Sequence, residues 1–279
     1  WGWLGALSVL WGGSFFFVEV ALGGLPPLSV VWARLAGGAA VLALVLRAVP
    51  PREAWGALLV MGALNNALPF TFFAIAQGQI ESGLAAILNA TTPLWGVLVA
   101  HLALADERLT WARGLGVLAG FAGVAVMFEG TGTVLAQALC LLAALSYACA
   151  GVWGRRFRAM GLVPAQVALG QVLAGLVLVT PLMLVEAPWT LPVPPAPVWG
   201  ALAGLGVLCT ALAYLIYFRL LARAGAVNLL LVTFLIPVSA LALGVGVLGE
   251  AITVRHLLGL ALIGAGLALA GSRQTRAAR

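Results

Sequence analysis

Few side chains in this chain can hold a solute, and those that can recur in matched sets. Asn66, Phe70 and Phe73 are spaced i, i+4, i+7, which sets them on one face of a helix. Thr210, Tyr214 and Tyr217 repeat the spacing 144 residues later. An amide or hydroxyl beside a row of rings offers hydrogen bonds next to a flat apolar wall, a chemistry suited to amphipathic solutes. The competing reading is core packing, in which the rings only fill space. The tyrosines weigh against it, because a buried hydroxyl needs a polar partner.

Pro93 and Pro237 are also 144 residues apart. Proline cannot donate the helical hydrogen bond, so each frees the carbonyl four residues earlier, at Asn89 and Thr233. Thr91 and Thr92 add hydroxyls beside the first. Free backbone groups inside a membrane are tolerated only where protein or a wet cavity surrounds them. Either the kinked helices present these groups to a solute at mid-depth, or they are packing kinks with locally satisfied polar residues. Trp11, Ser14, Ser146 and Tyr147 would complete an aromatic-walled, weakly polar cavity. Trp95 and Trp153 read as interface or packing residues.

Two charges fall inside apolar segments. Glu19 lies near the outer end of the first and Arg34 about two turns into the second, where antiparallel neighbours bring them together. The structural reading is an ion pair that orders the two helices. The functional one is that Glu19 takes a proton for coupling, or that Arg34 meets a substrate carboxylate. His101 and His256 are expected at opposite ends of the bundle, too far apart for one metal or catalytic site. Cys140, Cys149 and Cys209 read as small apolar packing residues. No nucleophile–base or metal constellation emerges, so neither an enzyme nor a bound metal is expected.

These residues need long apolar helices to carry them. The 279 residues are 63% hydrophobic and 8% charged, with a mean hydropathy of +1.14. A soluble domain cannot hide that much apolar surface, so the chain reads as an all-α, polytopic membrane protein. At roughly 17–25 residues per span there is room for about ten helices. They are expected near 3–21, 28–47, 54–74, 82–103, 112–129, 133–154, 164–186, 196–220, 226–248 and 255–271. The segment 187–197 is proline-rich and reads as an extended connector. The first residue is Trp1, which suggests that the natural start is missing; the first apolar segment is long enough to span rather than to serve as a cleaved leader.

All 14 basic residues are arginine. Without lysine there is no Walker-type phosphate loop and no Schiff-base cofactor; no cofactor is expected. With the N-terminus inside, twelve arginines fall on the inner side and only Arg255 on the outer, which sets both termini in the cytoplasm (N-in/C-in). The net charge of +6 is then explained by topology and lipid headgroups rather than nucleic acid. The turn at 104–111 is placed inside and its counterpart at 249–254 outside, although Glu107-x-Leu109-Thr110 matches Glu250-x-Ile252-Thr253. Thr110 and Thr253 are candidate helix N-caps, and Glu107 and Glu250 candidate turn stabilisers. Gly116-x6-Gly123 and Gly259-x6-Gly266 mark close helix packing. The chain therefore reads as two inverted five-helix repeats, 1–130 and 131–279. Secondary transporters use such an arrangement for alternating access.

Leu10-Trp11-Gly12, Arg34, the Pro93 and Pro237 helices, the Glu107 and Glu250 turns and the paired Gly-x6-Gly helices together resemble the EamA family of the drug/metabolite transporter superfamily. The resemblance spans essentially the whole chain. It implies ten helices in two inverted repeats and the movement of small metabolites, often amino-acid export, across a bacterial cytoplasmic (inner) membrane. Small multidrug members of that superfamily use a glutamate in the middle of their first helix, whereas Glu19 lies toward the helix end. The expected partners are a small-molecule substrate and the lipid bilayer, with the chain acting as a monomer or a homodimer. An uncoupled facilitator or channel, or a multidrug exporter for other amphipathic solutes, is the alternative.

Overall fold

A computed structural model describes residues 2–104, 110–127, 133–217, 219–220 and 231–271, and each regular element among them is helical. The ten helices are α1 (Gly2–Leu22), α2 (Pro27–Leu46), α3 (Arg52–Gln77), α4 (Ser82–Ala103), α5 (Trp111–Val126), α6 (Val134–Ala159), α7 (Pro164–Glu186), α8 (Ala196–Tyr217), α9 (Leu231–Leu243, continued over Gly244–Leu248) and α10 (Val254–Gly271). Seven are long and apolar enough to cross a bilayer, and α5, α9 and α10 are shorter apolar helices. Leu102, Leu118, Val177 and Val185 stand exposed on the outside of the bundle, an apolar surface that suits hydrocarbon rather than water as solvent. The chain is a multi-pass membrane protein.

Local sequence explains where helices begin. Pro27 and Pro164 occupy the first positions of α2 and α7, where proline's missing N–H costs nothing. Thr110 and Thr253 act as the expected N-caps, accepting from the backbone N–H of Arg113 and His256 at 3.4 and 3.3 Å. Asp106, Glu107 and Arg108 lie outside the described residues. The 187–197 connector is less extended than expected, because Pro188–Thr190 forms a 3-10 turn before α8 starts at Ala196.

The two prolines behave differently. Around Pro93 the helix breaks at Ala90–Thr91, whereas Pro237 lies inside one continuous helix. The threonines account for the break: Thr91 Oγ1 donates to the Leu88 carbonyl and Thr92 Oγ1 to that of Asn89, both at 2.7 Å. The carbonyl freed by Pro93 is thus satisfied within α4 rather than presented to a solute. The spacing predicts unbroken α-helix elsewhere, but α3 and α8 contain π-helical turns at Ala63–Ala67 and Gly204–Leu212, and a third ends α9. Such turns widen the helix by one residue and often mark functional positions.

The packing links the two halves throughout. Helix α5 packs on α10, α2 on α7, α1 on α9 and α4 on α6; α2 also packs on α8, α3 on α7, α1 on α8 and α3 on α6. Exchanging the first five helices for the last five converts each of these pairs into another of them or into itself. At one end, carboxylates fasten the halves together. Glu186, the last residue of α7, accepts from the backbone N–H groups of Leu28 and Ser29 at 3.0 and 2.7 Å. Glu250 accepts from the N–H groups of Ser82 and Gly83, both at 2.9 Å, and from the Ser82 hydroxyl. Both carboxylates therefore cap a helix start in the other half, where the exposed N–H groups and the helix dipole favour negative charge.

Glycines set the α5–α10 contact as expected. A Cβ on Gly123 would lie 2.7 Å from the Gly259 carbonyl oxygen, and one on Gly266 would collide with the backbone at Gly116 and Gly120. Gly123→Leu should therefore lower thermal stability in detergent by about 1–3 kcal/mol. Gly96→Leu, where an added Cβ meets nothing within 4 Å, should change the unfolding midpoint little. Equal midpoints for the two variants would contradict this packing.

Candidate functional site

Two close helix approaches bring the polar groups together. On one side α2 meets α8. A Cβ on Gly38 would lie 2.6 Å from Thr210 Cγ2, and one on Gly206 would lie 3.1 Å from the Gly37 Cα. On the other side α7 meets α3. A Cβ on Gly175 would lie 2.9 Å from Asn66 Cβ, and one on Gly62 would lie 2.7 Å from the Gly175 nitrogen. These contacts correspond: Gly38 and Gly175 are 137 residues apart, and Gly62 and Gly206 are 144 apart. With no side chain between the backbones, the neighbouring polar residues meet directly.

Arg34 and Gln171 are the polar residues of this match, again 137 apart. Arg34 Nε donates to Thr210 Oγ1 at 3.1 Å, and the guanidinium lies 3.7 Å from the centroid of the Phe70 ring. Gln171 Oε1 accepts from Asn65 Nδ2 at 3.0 Å. The Tyr214 hydroxyl joins the two sides, accepting from Asn65 and Asn66 at 3.2 Å each. The π turns supply further polar contacts: Thr210 Oγ1 donates to the Leu205 carbonyl at 2.8 Å, and Ser146 Oγ to that of Leu64 at 2.7 Å. Asn66 is fully buried, and its Oδ1 has no hydrogen-bond partner.

Aromatic rings wall this cluster. Phe73 meets Phe15 edge-on at 5.2 Å and stacks on Tyr147 at 6.4 Å. Tyr147 packs against both large apolar cores of the bundle, so it stands at the seam between them. Trp11 and Tyr217 form a neighbouring pair at 5.7 Å. Ser14 is buried on α1, three residues from Trp11. Asn66, Phe70, Phe73, Tyr147, Thr210 and Tyr214 thus converge. Among the described residues, no hydrogen bond or ring contact joins Asn89, Thr92 or Thr233 to this cluster. Trp95 meets Phe121 edge-on at 4.8 Å, and Trp153 Nε1 donates to the Ala57 carbonyl at 3.0 Å, as packing residues would.

The expected Glu19–Arg34 pair does not form. Glu19 Oε2 accepts from Gln77 Nε2 at 3.4 Å, and that amide also donates to the Phe15 carbonyl at 2.8 Å. Arg34 faces α8 instead, because the glycines one turn on, Gly37 and Gly38, bring that face of α2 against it. Sequence reading also missed Asn65, Gln77 and Gln171. Gln171 carried a usable signal, since Arg34 and Gln171 each stand seven residues after a helix-opening proline.

Tyr214→Phe removes the acceptor shared by two amides. It should lower stability by ~1–2 kcal/mol, seen as a lower thermal midpoint of the detergent-solubilised protein. An unchanged midpoint would contradict the hub geometry.

Comparison with known proteins agrees with this architecture. The model of the EamA-like transporter family matches residues 1–129 and 134–272. The chain is 27% identical to the uncharacterized inner membrane transporter YedA of Escherichia coli (strain K12), over 94% of this chain and 87% of that one. It is 28% identical to the uncharacterized transporter YvbV of Bacillus subtilis (strain 168), over 97% and 90%. A solved crystal structure superposes with a TM-score of 0.67 at 23% identity, covering 96% of both chains, a likeness of fold.

Proposed function

The chain belongs to the EamA-like transporter family, and from that premise we propose that it is a secondary transporter that exports small metabolites, amino acids foremost, by alternating access. Membership indicates a transporter. The observation that carries the finer reading is the cluster of Asn65, Asn66, Gln171, Thr210 and Tyr214, walled by Phe70, Phe73 and Tyr147, where α2 and α3 meet their matched helices α7 and α8. Amides, hydroxyls and rings in one place suit a solute with a polar head and an apolar body.

In this reading the halves 1–130 and 131–279 are inverted repeats with both termini cytoplasmic, in a bacterial inner membrane. The exchange of helix pairs between the halves supports the repeat, and the arginine distribution supports the orientation. The carboxylate caps at Glu186 and Glu250 then lie at the outer face and hold it shut. Outward opening separates Glu250 from the start of α4, while the glycine-lined contacts rearrange around the solute. Asn89, Thr92 and Thr233 serve the proline-bearing helices α4 and α9, where the helix break at Ala90–Thr91 and the proline of α9 provide bending points. Trp11, Ser14 and Tyr217 extend the wall of the path.

Radiolabelled amino acids offered to proteoliposomes with an opposing unlabelled pool test this function. Saturable exchange is expected, with a loss of roughly tenfold or more in Asn66→Ala and Tyr214→Ala. A response to an imposed pH gradient would bring Glu19 in as the coupling residue. Non-saturable flux would favour a facilitator, and no flux from folded protein would remove amino acids as the cargo.

A further inference from the structure

Arg34 is a charge deep in an apolar bundle with no counter-ion among the described residues. It is the eighth residue of α2, roughly 10 Å along the helix axis, and only 7% exposed. Among the described residues no carboxylate pairs with it; Glu19, its expected partner, is held by Gln77. Its two protein partners are neutral: the Thr210 hydroxyl at Nε and the Phe70 ring below the guanidinium plane. They orient the group but do not neutralise it. A buried ion without an opposite charge is costly inside a bilayer, and such residues mark substrate and ion pathways.

The geometry leaves the other side of the guanidinium free. Of its nitrogens, only Nε has a hydrogen-bond partner among the described residues. Neither terminal nitrogen has a hydrogen-bond partner among the described residues, and the side chain keeps 7% of its surface exposed. A guanidinium fixed at Nε presents its terminal nitrogens as a planar fork, which matches the two oxygens of a carboxylate.

The polar surroundings add a second group. Asn66 donates to Tyr214, four residues along α8 from the Thr210 that holds Arg34, and keeps a buried and unpartnered Oδ1, an acceptor suited to an ammonium. The Phe70, Phe73 and Tyr147 rings provide an apolar wall beside both. The matched position in the other half is Gln171, which is neutral and is bonded to Asn65. Charge is therefore built into one side of an otherwise matched site, which gives the site a direction for a zwitterion.

We infer that Arg34 anchors the carboxylate of the transported solute, with Asn66 Oδ1 receiving its ammonium, so that the site selects zwitterionic α-amino acids over amines and over their carboxyl-neutral derivatives. This inference rests on the cluster being the transport site. Thr210 and Phe70 are positioning residues, acting through the guanidinium.

Binding of L-phenylalanine, L-phenylalaninamide and inorganic phosphate to the purified full chain, followed by thermal shift and tryptophan fluorescence, tests it without requiring transport. Wild-type protein should bind the acid at least about tenfold more tightly than the amide. Arg34→Gln should abolish that preference, and Arg34→Lys should restore part of it. Thr210→Val keeps the charge but frees it from its mount, and should reduce the acid preference without removing it. Equal binding of acid and amide by wild type, an unaltered preference in folded Arg34→Gln, or phosphate binding as strong as that of the acid would each overturn the assignment. The acid–amide comparison needs no variant, so a poorly folding substitution leaves the result decisive. Selective binding of the acid without its movement across proteoliposomes would keep the anchor and sink the proposal of amino-acid export.

Discussion

The candidate site depends on two places where helices touch backbone to backbone. At Gly37, Gly38 and Gly206 helix α2 meets α8, and at Gly62 and Gly175 helix α3 meets α7. Lipid chains are as apolar as leucine, so burying apolar surface does little to join helices within a bilayer. Association rests instead on close van der Waals contact and interhelical hydrogen bonds, and small residues allow both. Here they allow Arg34 to reach Thr210 and Gln171 to reach Asn65. A larger residue at any of these glycines would separate the helices and break up the polar cluster as well as the packing.

That arrangement gives the candidate site its chemical character. Its groups occupy matched positions in the two halves, but the residues differ: Arg34 corresponds to Gln171, and Phe70 to Tyr214. Matched backbones offer two related packings, which alternating access requires. The unmatched side chains give the site polarity. The π turns serve the same end, since they leave the Leu64 and Leu205 carbonyls to accept hydroxyl hydrogen bonds. The carboxylate caps at Glu186 and Glu250 act far from this site, on helix ends, and join the same two halves.

Much of this was legible in the residues. Apolar runs located ten helices, two of them (82–103 and 164–186) with the same limits as in the structure, and the 144-residue offset singled out Asn66, Phe70, Thr210 and Tyr214 before any contact was known. What was missed has physical causes. The Glu19–Arg34 pair assumed that neighbouring antiparallel helices turn their charges toward each other; Gly37 and Gly38 turn Arg34 toward α8 instead. The two prolines looked equivalent, but only α4 has threonine hydroxyls placed to capture the freed carbonyls and break the helix. Gln171 escaped notice because it is neutral where its counterpart is charged. The π turns leave no clear pattern, since they add one residue to a helix without changing its composition.

In the proposed cycle the seam between the matched contacts is a solute path open by turns to each face of the membrane. Site-directed accessibility tests it most directly: Phe73→Cys, in a background with Cys140, Cys149 and Cys209 replaced by alanine, probed with a membrane-impermeant thiol reagent from one side of sealed vesicles at a time. The account predicts labelling from both sides, slowed from either side by a transported amino acid. Labelling from neither side, or from one side only whatever the amino-acid concentration, would contradict it.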